Sequence, residues 1–239
     1  MPLETPSTPV ARGSFPSYVQ RLRERVPFTL SRWGDGEWSA ILGMSGANCD
    51  GHQYTKRLGQ DLGSVLMSRP PYDLGLQQLA LRRFGRQITT WLERRHLTFD
   101  WVNAETFARH SAADQLQPLI DGLRTRIVIL VGPAHLAGLR RLFPVAAHII
   151  VPDVNCHDDV RRVTQESAAS LARVTSTAIG GAVLAVSASM SANVIIHRLY
   201  VQGFRQHTLV DFGSLWEPYV GRATRSYHRR VLAREGHTA

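Results

Sequence analysis

The chain has 239 residues, of which 44% are hydrophobic and 20% are charged, so it fits one globular domain and is not a largely disordered chain. Its length allows a full core, which excludes a small scaffold that needs disulfides or a metal to fold. The 28 basic residues against 19 acidic ones give a net charge of +9, but Lys56 is the only lysine and codon bias also enriches arginine, so a polyanionic partner is only weakly favoured.

The first half of the chain begins with a segment rich in Pro, Ser and Thr, which predicts a flexible N-terminal arm over residues 1–14. This segment contains no apolar stretch of the kind found in a secretory signal. Apolar residues recur at helical spacing in several later segments, and an alternating segment ends at Gly-Asp-Gly-Glu. The patterns predict a strand at 28–33 and helices at 17–25, 37–44, 54–68 and 75–95.

The second half of the chain repeats a unit of an apolar strand followed by a helix. Strands are predicted at 99–103, 126–132, 147–152, 181–189 and 207–213, and helices at 105–120, 133–143, 158–174 and 190–202. Unbroken apolar strands that alternate with helices indicate an α/β fold: a Rossmann-like, doubly wound, mainly parallel sheet with helices on both faces. We assign this domain to 15–222 and a basic C-terminal tail to 223–239. Ligands of such folds bind at the carboxyl ends of the strands.

Two features bear on the location of the protein. Residues 178–196 carry no charge, but glycines, serines and an asparagine interrupt them, so a buried strand and helix are predicted rather than a membrane span. Cys49 and Cys156 form neither a CxxC motif nor a zinc-like cluster. The reduced state that this indicates predicts a cytoplasmic protein.

The richest motif follows the first predicted strand and contains Arg32, Gly34, Asp35, Gly36 and Glu37. Asp35 and Glu37 offer hard oxygen donors for Mg²⁺ or Mn²⁺, and the glycines leave room for a ligand near the backbone. Arg32 and the amides of the following helix suit phosphate oxygens. Together they would form a diphosphate site. The alternative is a structural turn, with Asp35 as the helix cap and Glu37 in the first helical turn.

This segment, FTLSRWGDGEW at 28–38, resembles the opening of the GT-D glycosyltransferases, a Rossmann-like bacterial family with a D-x-E signature. The similarity continues through the following segments to about residue 222. The resemblance implies transfer from a nucleotide-activated sugar, often UDP-linked. Asp35 and Glu37 match the pair that binds donor and metal, and Arg32 matches the arginine of the motif. The chain differs from the family in Ser-Ala-Ser after Val186, where a Gly-Pro turn is common, and in Ser214, where a histidine is expected. The further similar segments are 48–66, 131–143, 148–159 and 185–221.

Other candidates lie where predicted strands end. Ser187 and Ser189 contact phosphate or sugar hydroxyls, or cap a helix, and Gly132 begins either a nucleotide-binding loop or an ordinary proline-initiated helix. Asp153 and Asn155 are candidates for a second polar wall. Asp211 orients a ribose, a metal or an acceptor, or only forms a turn. Trp216, Glu217 and Tyr219 form a wall of the site, or pack the C-terminal segment onto the sheet.

The leading hypothesis is therefore a metal-dependent glycosyltransferase that uses a UDP-sugar, with Asp35, Glu37, Asp153 and Asp211 as the candidate catalytic residues. Asp153 and Asp211 are the candidate bases, and the acceptor is open. One alternative transfers sugar to hydroxymethylated DNA bases, with Trp38 or Trp216 stacking on a flipped base. A second is a nucleic-acid-binding protein without activity. For the leading hypothesis, the open set of acceptors includes a polyanion such as DNA or an envelope glycan, and an oligomer is compatible with the sequence.

Overall fold

The computed structural model describes residues 11–175 and 180–234. This part of the chain contains seven strands in one sheet, and every pairing between them is parallel, as the sequence predicts. The strands are β1 (Thr29–Trp33), β2 (Asp73–Leu76), β3 (Val102–Asn103), β4 (Val128–Gly132), β5 (Val145–Ile150), β6 (Val183–Val186) and β7 (Thr208–Asp211). Their order in the sheet is β3-β2-β1-β7-β6-β4-β5, so the first and last strands lie side by side at its centre.

Helices cover both faces of the sheet because the strands are apolar on both sides. In β4, Ile129 and Val131 pack into one buried cluster while Val128 and Leu130 pack into the other, as the alternation of side chains along a strand requires. The helices of the described residues are α1 (Phe15–Arg23), α2 (Asp35–Ile41), α3 (Lys56–Met67), α4 (Gln78–Glu93), α5 (Thr106–Ala112), α6 (Gln117–Arg124), α7 (Val160–Thr175), α8 (Ser191–Val201) and α9 (His228–Arg234).

Three predicted helices differ in the structure. The helix predicted at 75–95 begins later, because Asp73–Leu76 forms the parallel strand β2 beside β1. Gly75 permits this strand, since a Cβ there would lie 2.9 Å from the Cα of Ala104 next to β3. The helix predicted at 105–120 is two helices, separated near Asp114, whose φ is 61°. The helix predicted after Pro133 is a 3₁₀ helix, Ala134–Arg141, and further 3₁₀ turns occupy Cys156–Asp159, Phe204–Gln206 and Glu217–Val220.

The C-terminal segment is integrated in the domain as far as residue 234. Val231 and Leu232 of α9 are buried, and the Arg234 guanidinium donates to the carbonyl oxygens of Ser111 (2.6 Å) and Ala112 (3.2 Å). The segment predicted as a tail at 223–239 therefore carries a packed helix, and residues 235–239 lie outside the described part. Residues 1–10 of the predicted arm also lie outside the described part. Ser14, the last residue of that arm, is the N-cap of α1.

The uncharged segment at 178–196 forms β6 and α8 in its described residues, as predicted. Within residues 11–175 and 180–234, no helix combines the length and the apolar composition that are needed to cross a bilayer.

Candidate functional site

A cleft of about 1180 Å³ opens at the carboxyl ends of the central strands. This is the edge of the sheet where a parallel α/β fold binds its ligands. The cleft brings together predicted residues from four separate segments of the chain, while Gly34, Gly132 and Asn155 do not line it. The predicted residues that do are Arg32, Asp35, Gly36, Glu37, Asp153, Ser187, Ser189 and Asp211.

The D-x-E pair lies in the first turn of α2, and its two carboxylates have different partners. Glu37 accepts a hydrogen bond of 2.8 Å from the backbone N–H of the N-cap residue Gly34, which is the glutamate half of a capping box. Asp35 lies 3.2 Å from the guanidinium of Arg83 on α4. Residues two apart on a helix do not face each other, so this divergence follows from the spacing itself. The structural alternative is thus confirmed for Glu37 in the first helical turn, but the N-cap of α2 is Gly34 and not Asp35. Gly34, a candidate for donor binding, has its N–H bonded to Glu37.

Asp211 ends β7 beside Arg32 of β1, and both face the cleft. The Asp211 carboxylate is buried and accepts a hydrogen bond of 2.8 Å from the N–H of Gly213. Burial raises its pKa to about 6, although the charge of Arg32 and the backbone hydrogen bonds oppose this rise. Arg32 donates through Nε to the carbonyl of Ala104 at 2.9 Å, which leaves its terminal nitrogens beside Gly213. A side chain at Gly213 would collide with this guanidinium.

Glu37 is the second perturbed carboxylate of the cleft. Desolvation raises its pKa to about 7, the Asp211 charge adds to the rise, and backbone hydrogen bonds and Arg32 oppose it. Two neighbouring carboxylates that are both costly to ionise are a donor set that a divalent cation would stabilise. In the described part of the chain, no three His, Cys, Asp or Glu side chains are arranged to hold a metal ion. The oxygen donors fit such an ion in kind, and Asp35 joins them only when its side chain leaves Arg83.

The end of β6 provides two serines. The Ser187 hydroxyl is buried and has no hydrogen-bond partner among the described residues, although Ser187 lines the cleft. Ser189 has a φ of 49°, and its hydroxyl accepts a hydrogen bond of 2.9 Å from the Asn48 amide, which attaches the loop after α2. Asn155 supports that loop from outside, since its Oδ1 accepts a hydrogen bond of 2.9 Å from the N–H of Gln53.

An ion pair joins this loop to the C-terminal segment and forms one wall of the cleft. Asp50 accepts hydrogen bonds from both terminal nitrogens of Arg225, at 2.7 and 2.6 Å. Burial alone would raise the pKa of Asp50, but the hydrogen bonds and charge of Arg225 hold that pKa below its usual value. The same hydrogen bonds raise the pKa of Arg225. The wall therefore stays charged and paired at neutral pH.

A histidine that the sequence analysis missed also lines the cleft. His135 Nε2 lies 2.9 and 3.1 Å from the two carboxylate oxygens of Glu217, and its Nδ1 lies 2.6 Å from a terminal nitrogen of Arg222. Asp153 is 3.7 Å from Nδ1, with 73% of its side chain exposed. The available signal was the position of His135, two residues beyond Pro133 at the end of a strong strand. Its partner Glu217 was considered only as part of an aromatic wall.

The aromatic candidates do not reach the cleft. Trp38 and Trp216 have no exposed surface, and Tyr219 is 5% exposed. Trp216 packs edge-on against Phe143 and Phe212, with ring centroids 5.3 and 5.2 Å apart. The structural interpretation of these residues is therefore the right one, and stacking of either tryptophan on a flipped base is wrong for this conformation.

Comparison with solved structures gives matches that cover most of the chain. One, described as the highly conserved domain of unknown function 1792 with a distinct glycosyltransferase fold, has a TM-score of 0.57 at 15% identity and covers 84% of this chain and 77% of that one. Another, a new glycosyltransferase (DUF1792) from Streptococcus sanguinis, has a TM-score of 0.60 at 16% identity, with 86% and 82% covered. No family model matches the chain, and no curated protein does. The chain thus shares the fold of these domains.

Proposed function

We propose that this protein is a glycosyltransferase that moves a sugar from a UDP-linked donor to an acceptor hydroxyl with the help of Mn²⁺ or Mg²⁺. The observation that carries the proposal is the meeting of Arg32, Glu37 and Asp211 in one cleft, at the carboxyl ends of the adjacent strands β1 and β7. The fold is shared with structures whose descriptions name a glycosyltransferase. The D-x-E resemblance supports the same activity.

The residues of the cleft divide the work by their chemistry. Arg32 offers permanently charged N–H groups to the diphosphate of the donor. Glu37, Asp211 and a reoriented Asp35 would hold the cation, which supplies positive charge to the leaving diphosphate. The Ser187 hydroxyl has no partner among the described residues, and it would bind a phosphate or sugar oxygen once it turns towards the cleft.

The size of the cleft supports two substrates. Pockets for single small ligands measure about 300–1,000 Å³, and this cleft exceeds that range at about 1180 Å³. A nucleotide-sugar at the β1–β7 end leaves the wall of His135 and Glu217 free for the acceptor. This division agrees with the two kinds of wall, one with carboxylates and Arg32, the other with a histidine–carboxylate pair.

The charge of the protein bears on the class of acceptor. The net charge of +9 supports a polyanionic acceptor such as DNA or an envelope glycan, and the two free thiols suit a cytoplasmic site of action. A hydroxymethylated base would need stacking partners other than the buried tryptophans. Transfer or binding that weakens steeply with salt would favour the polyanion, because phosphate contacts release counterions.

The donor site is tested by the stability of the protein with UDP, in the presence and absence of Mn²⁺. A ligand at ~100 times its dissociation constant raises the free energy of unfolding by about 2.7 kcal/mol. We expect this gain for the wild type with UDP and Mn²⁺, and its loss in the Asp35→Asn and Glu37→Gln variants. Asp121→Asn, which changes an exposed carboxylate on α6, is the matched control and keeps the gain. A wild type that UDP does not stabilise contradicts the proposal.

A further inference from the structure

His135, Glu217 and Arg222 form a chain of polar contacts that runs from a buried to an exposed side chain along the cleft. His135 is provided by the 3₁₀ helix after β4 and Glu217 by the 3₁₀ turn after β7. The exposed fraction of the side chain is 12% for Glu217, 22% for His135 and 49% for Arg222. All three residues line the cleft. A carboxylate that is hydrogen-bonded to one ring nitrogen of a histidine in a cleft is the arrangement of an oriented base.

We propose that His135 is the general base that accepts the proton of the acceptor hydroxyl, and that Glu217 is its positioning residue. This inference rests on the proposed function, since it assigns the base of that transfer.

The hydrogen bonds determine which ring nitrogen acts. An ionised carboxylate only accepts hydrogen bonds, so the nitrogen that lies 2.9 Å from Glu217, Nε2, carries the proton. Nδ1 then carries no proton, and its electron pair accepts a hydrogen bond of 2.6 Å from an N–H of Arg222. Arg222 is half exposed, so an acceptor hydroxyl can replace it at Nδ1. Glu217 stabilises the imidazolium that forms when Nδ1 takes up the proton.

The other acidic groups of the cleft are poorer bases for this step. Asp211 is buried and bonded to the N–H of Gly213, so its carboxylate has little access to an acceptor. Glu37 is bonded to the N–H of Gly34. Asp153 is accessible, but its contact with a protein group is the 3.7 Å approach to His135, which does not fix its orientation. The geometry thus favours His135 over the two aspartates that the sequence suggested.

The step conserves atoms and charge. The acceptor oxygen bonds to the anomeric carbon as its proton passes to Nδ1 of His135, and the bond from that carbon to the diphosphate oxygen breaks. The electron pair leaves with the nucleoside diphosphate. Because one displacement occurs, the configuration at the anomeric carbon inverts. Water that reaches Nδ1 replaces the acceptor in the same step, so slow hydrolysis of the donor reports on the base without a known acceptor.

Glu217 is the contact that places the proton on Nε2 of His135. The other groups that approach this ring are Arg222 from the C-terminal segment, Asp153 from the loop after β5, and His148 from β5 itself. Glutamine at position 217 keeps an oxygen for Nε2–H, but its amide N–H groups can also donate to a ring nitrogen. Glu217→Gln should therefore weaken the preference for the Nε2–H tautomer, a change that a purely structural role would not produce.

The experiment compares the wild type with His135→Gln and Glu217→Gln, with His96→Asn at an exposed site as the control. Binding of UDP with Mn²⁺ is measured by calorimetry. Hydrolysis of UDP-glucose, UDP-galactose and UDP-N-acetylglucosamine is measured by the UDP that it liberates, and ¹⁵N spectra of the imidazole report its tautomer. We expect His135→Gln to bind UDP as the wild type does and to hydrolyse the UDP-sugars at least ~100-fold more slowly. Glu217→Gln should keep part of the rate and lose the strict preference for the Nε2–H tautomer in ¹⁵N spectra of the imidazole.

The outcomes separate the two proposals. A wild type that does not bind UDP contradicts the proposed function, whereas normal binding with an unchanged rate in His135→Gln overturns only the assignment of the base. Spectra in which Glu217→Gln keeps the same single tautomer as the wild type overturn the role of Glu217. If none of the three sugars is hydrolysed, ¹⁵N spectra of the imidazole decide. The proposal requires the Nε2–H tautomer in the wild type, and the Nδ1–H tautomer refutes it.

Discussion

Replacing Glu37 by glutamine should stabilise the protein at neutral and alkaline pH while it removes the proposed donor site. The carboxylate of Glu37 is desolvated in the cleft, which raises its pKa to about 7 from an ordinary value of 4.5. Ionisation of Glu37 in the folded protein therefore lowers its free energy of unfolding. Glutamine keeps an oxygen that accepts the Gly34 N–H, so the cap of α2 survives the change.

The sign and size of the effect follow from proton linkage. Below pH 4.5 the carboxyl is protonated in both the folded and the unfolded chain, so its ionisation contributes nothing. Between pH 4.5 and 7 the unfolded chain loses the proton first, and the folded state is increasingly disfavoured. The difference between a pKa of about 7 in the folded chain and 4.5 in the unfolded chain limits this loss of stability to about 3 kcal/mol at pH 8. Glu37 remains partly exposed, so we expect a gain of about 1–3 kcal/mol in Glu37→Gln.

Urea unfolding at pH 5 and pH 8 measures this gain. The free energy of unfolding of Glu37→Gln should exceed that of the wild type at pH 8, and the excess should shrink to less than about 1 kcal/mol at pH 5. Glu93→Gln, at an exposed site on α4, controls for the loss of one carboxylate and should show no such pH dependence. Equal or lower stability of Glu37→Gln at pH 8 refutes the reasoning.

Two further predictions concern packing and the wall of the cleft. Gly59→Ala on α3 should lower the free energy of unfolding by about 1–3 kcal/mol, because its Cβ would collide with the backbone oxygen of Ala40. Gly85→Ala on α4 meets open space and should raise it by up to about 1 kcal/mol, so urea unfolding of the pair separates the collision from helix propensity. Asp50→Asn should lower the free energy of unfolding by about 1 kcal/mol at pH 7, because it removes the charge that pairs with the partly exposed Arg225. The deficit should fade as pH drops below 3.8, since the folded state of the wild type loses its ionised Asp50 there.

The sequence predicts the fold well where the strands are buried on both faces. Residues 128–132 and 183–186 are continuous apolar runs, and such runs occur in the centre of parallel sheets. The strand at 73–76 was missed because it is four residues long and lies directly before the amphipathic helix at 78–93, so the helical period extended over it. What makes 73–76 a strand is its pairing with β1, which is a tertiary contact that the local pattern does not contain.

The location of the candidate site can be predicted, because the ends of the strands are visible in the sequence. The contacts of its side chains cannot, because they depend on tertiary structure. The rule that ligands bind at the carboxyl ends of strands locates Arg32, Asp211 and Ser187 in one cleft. The spacing of D-x-E does not predict which groups its two carboxylates contact. Asp35 and Glu37 lie in the first turn of a helix, where one contacts a neighbouring helix and the other caps its own.

The same distinction explains why the histidine–carboxylate pair was missed although each of its members follows a strand. His135 follows β4 and Glu217 follows β7, and 82 residues separate them along the chain. In the sheet, only β6 lies between these two strands, so their carboxyl-terminal turns meet across a single strand width of about 5 Å on each side. A strand order that placed β4 at the edge would separate the pair. The order of the strands, rather than either residue alone, therefore creates the proposed base.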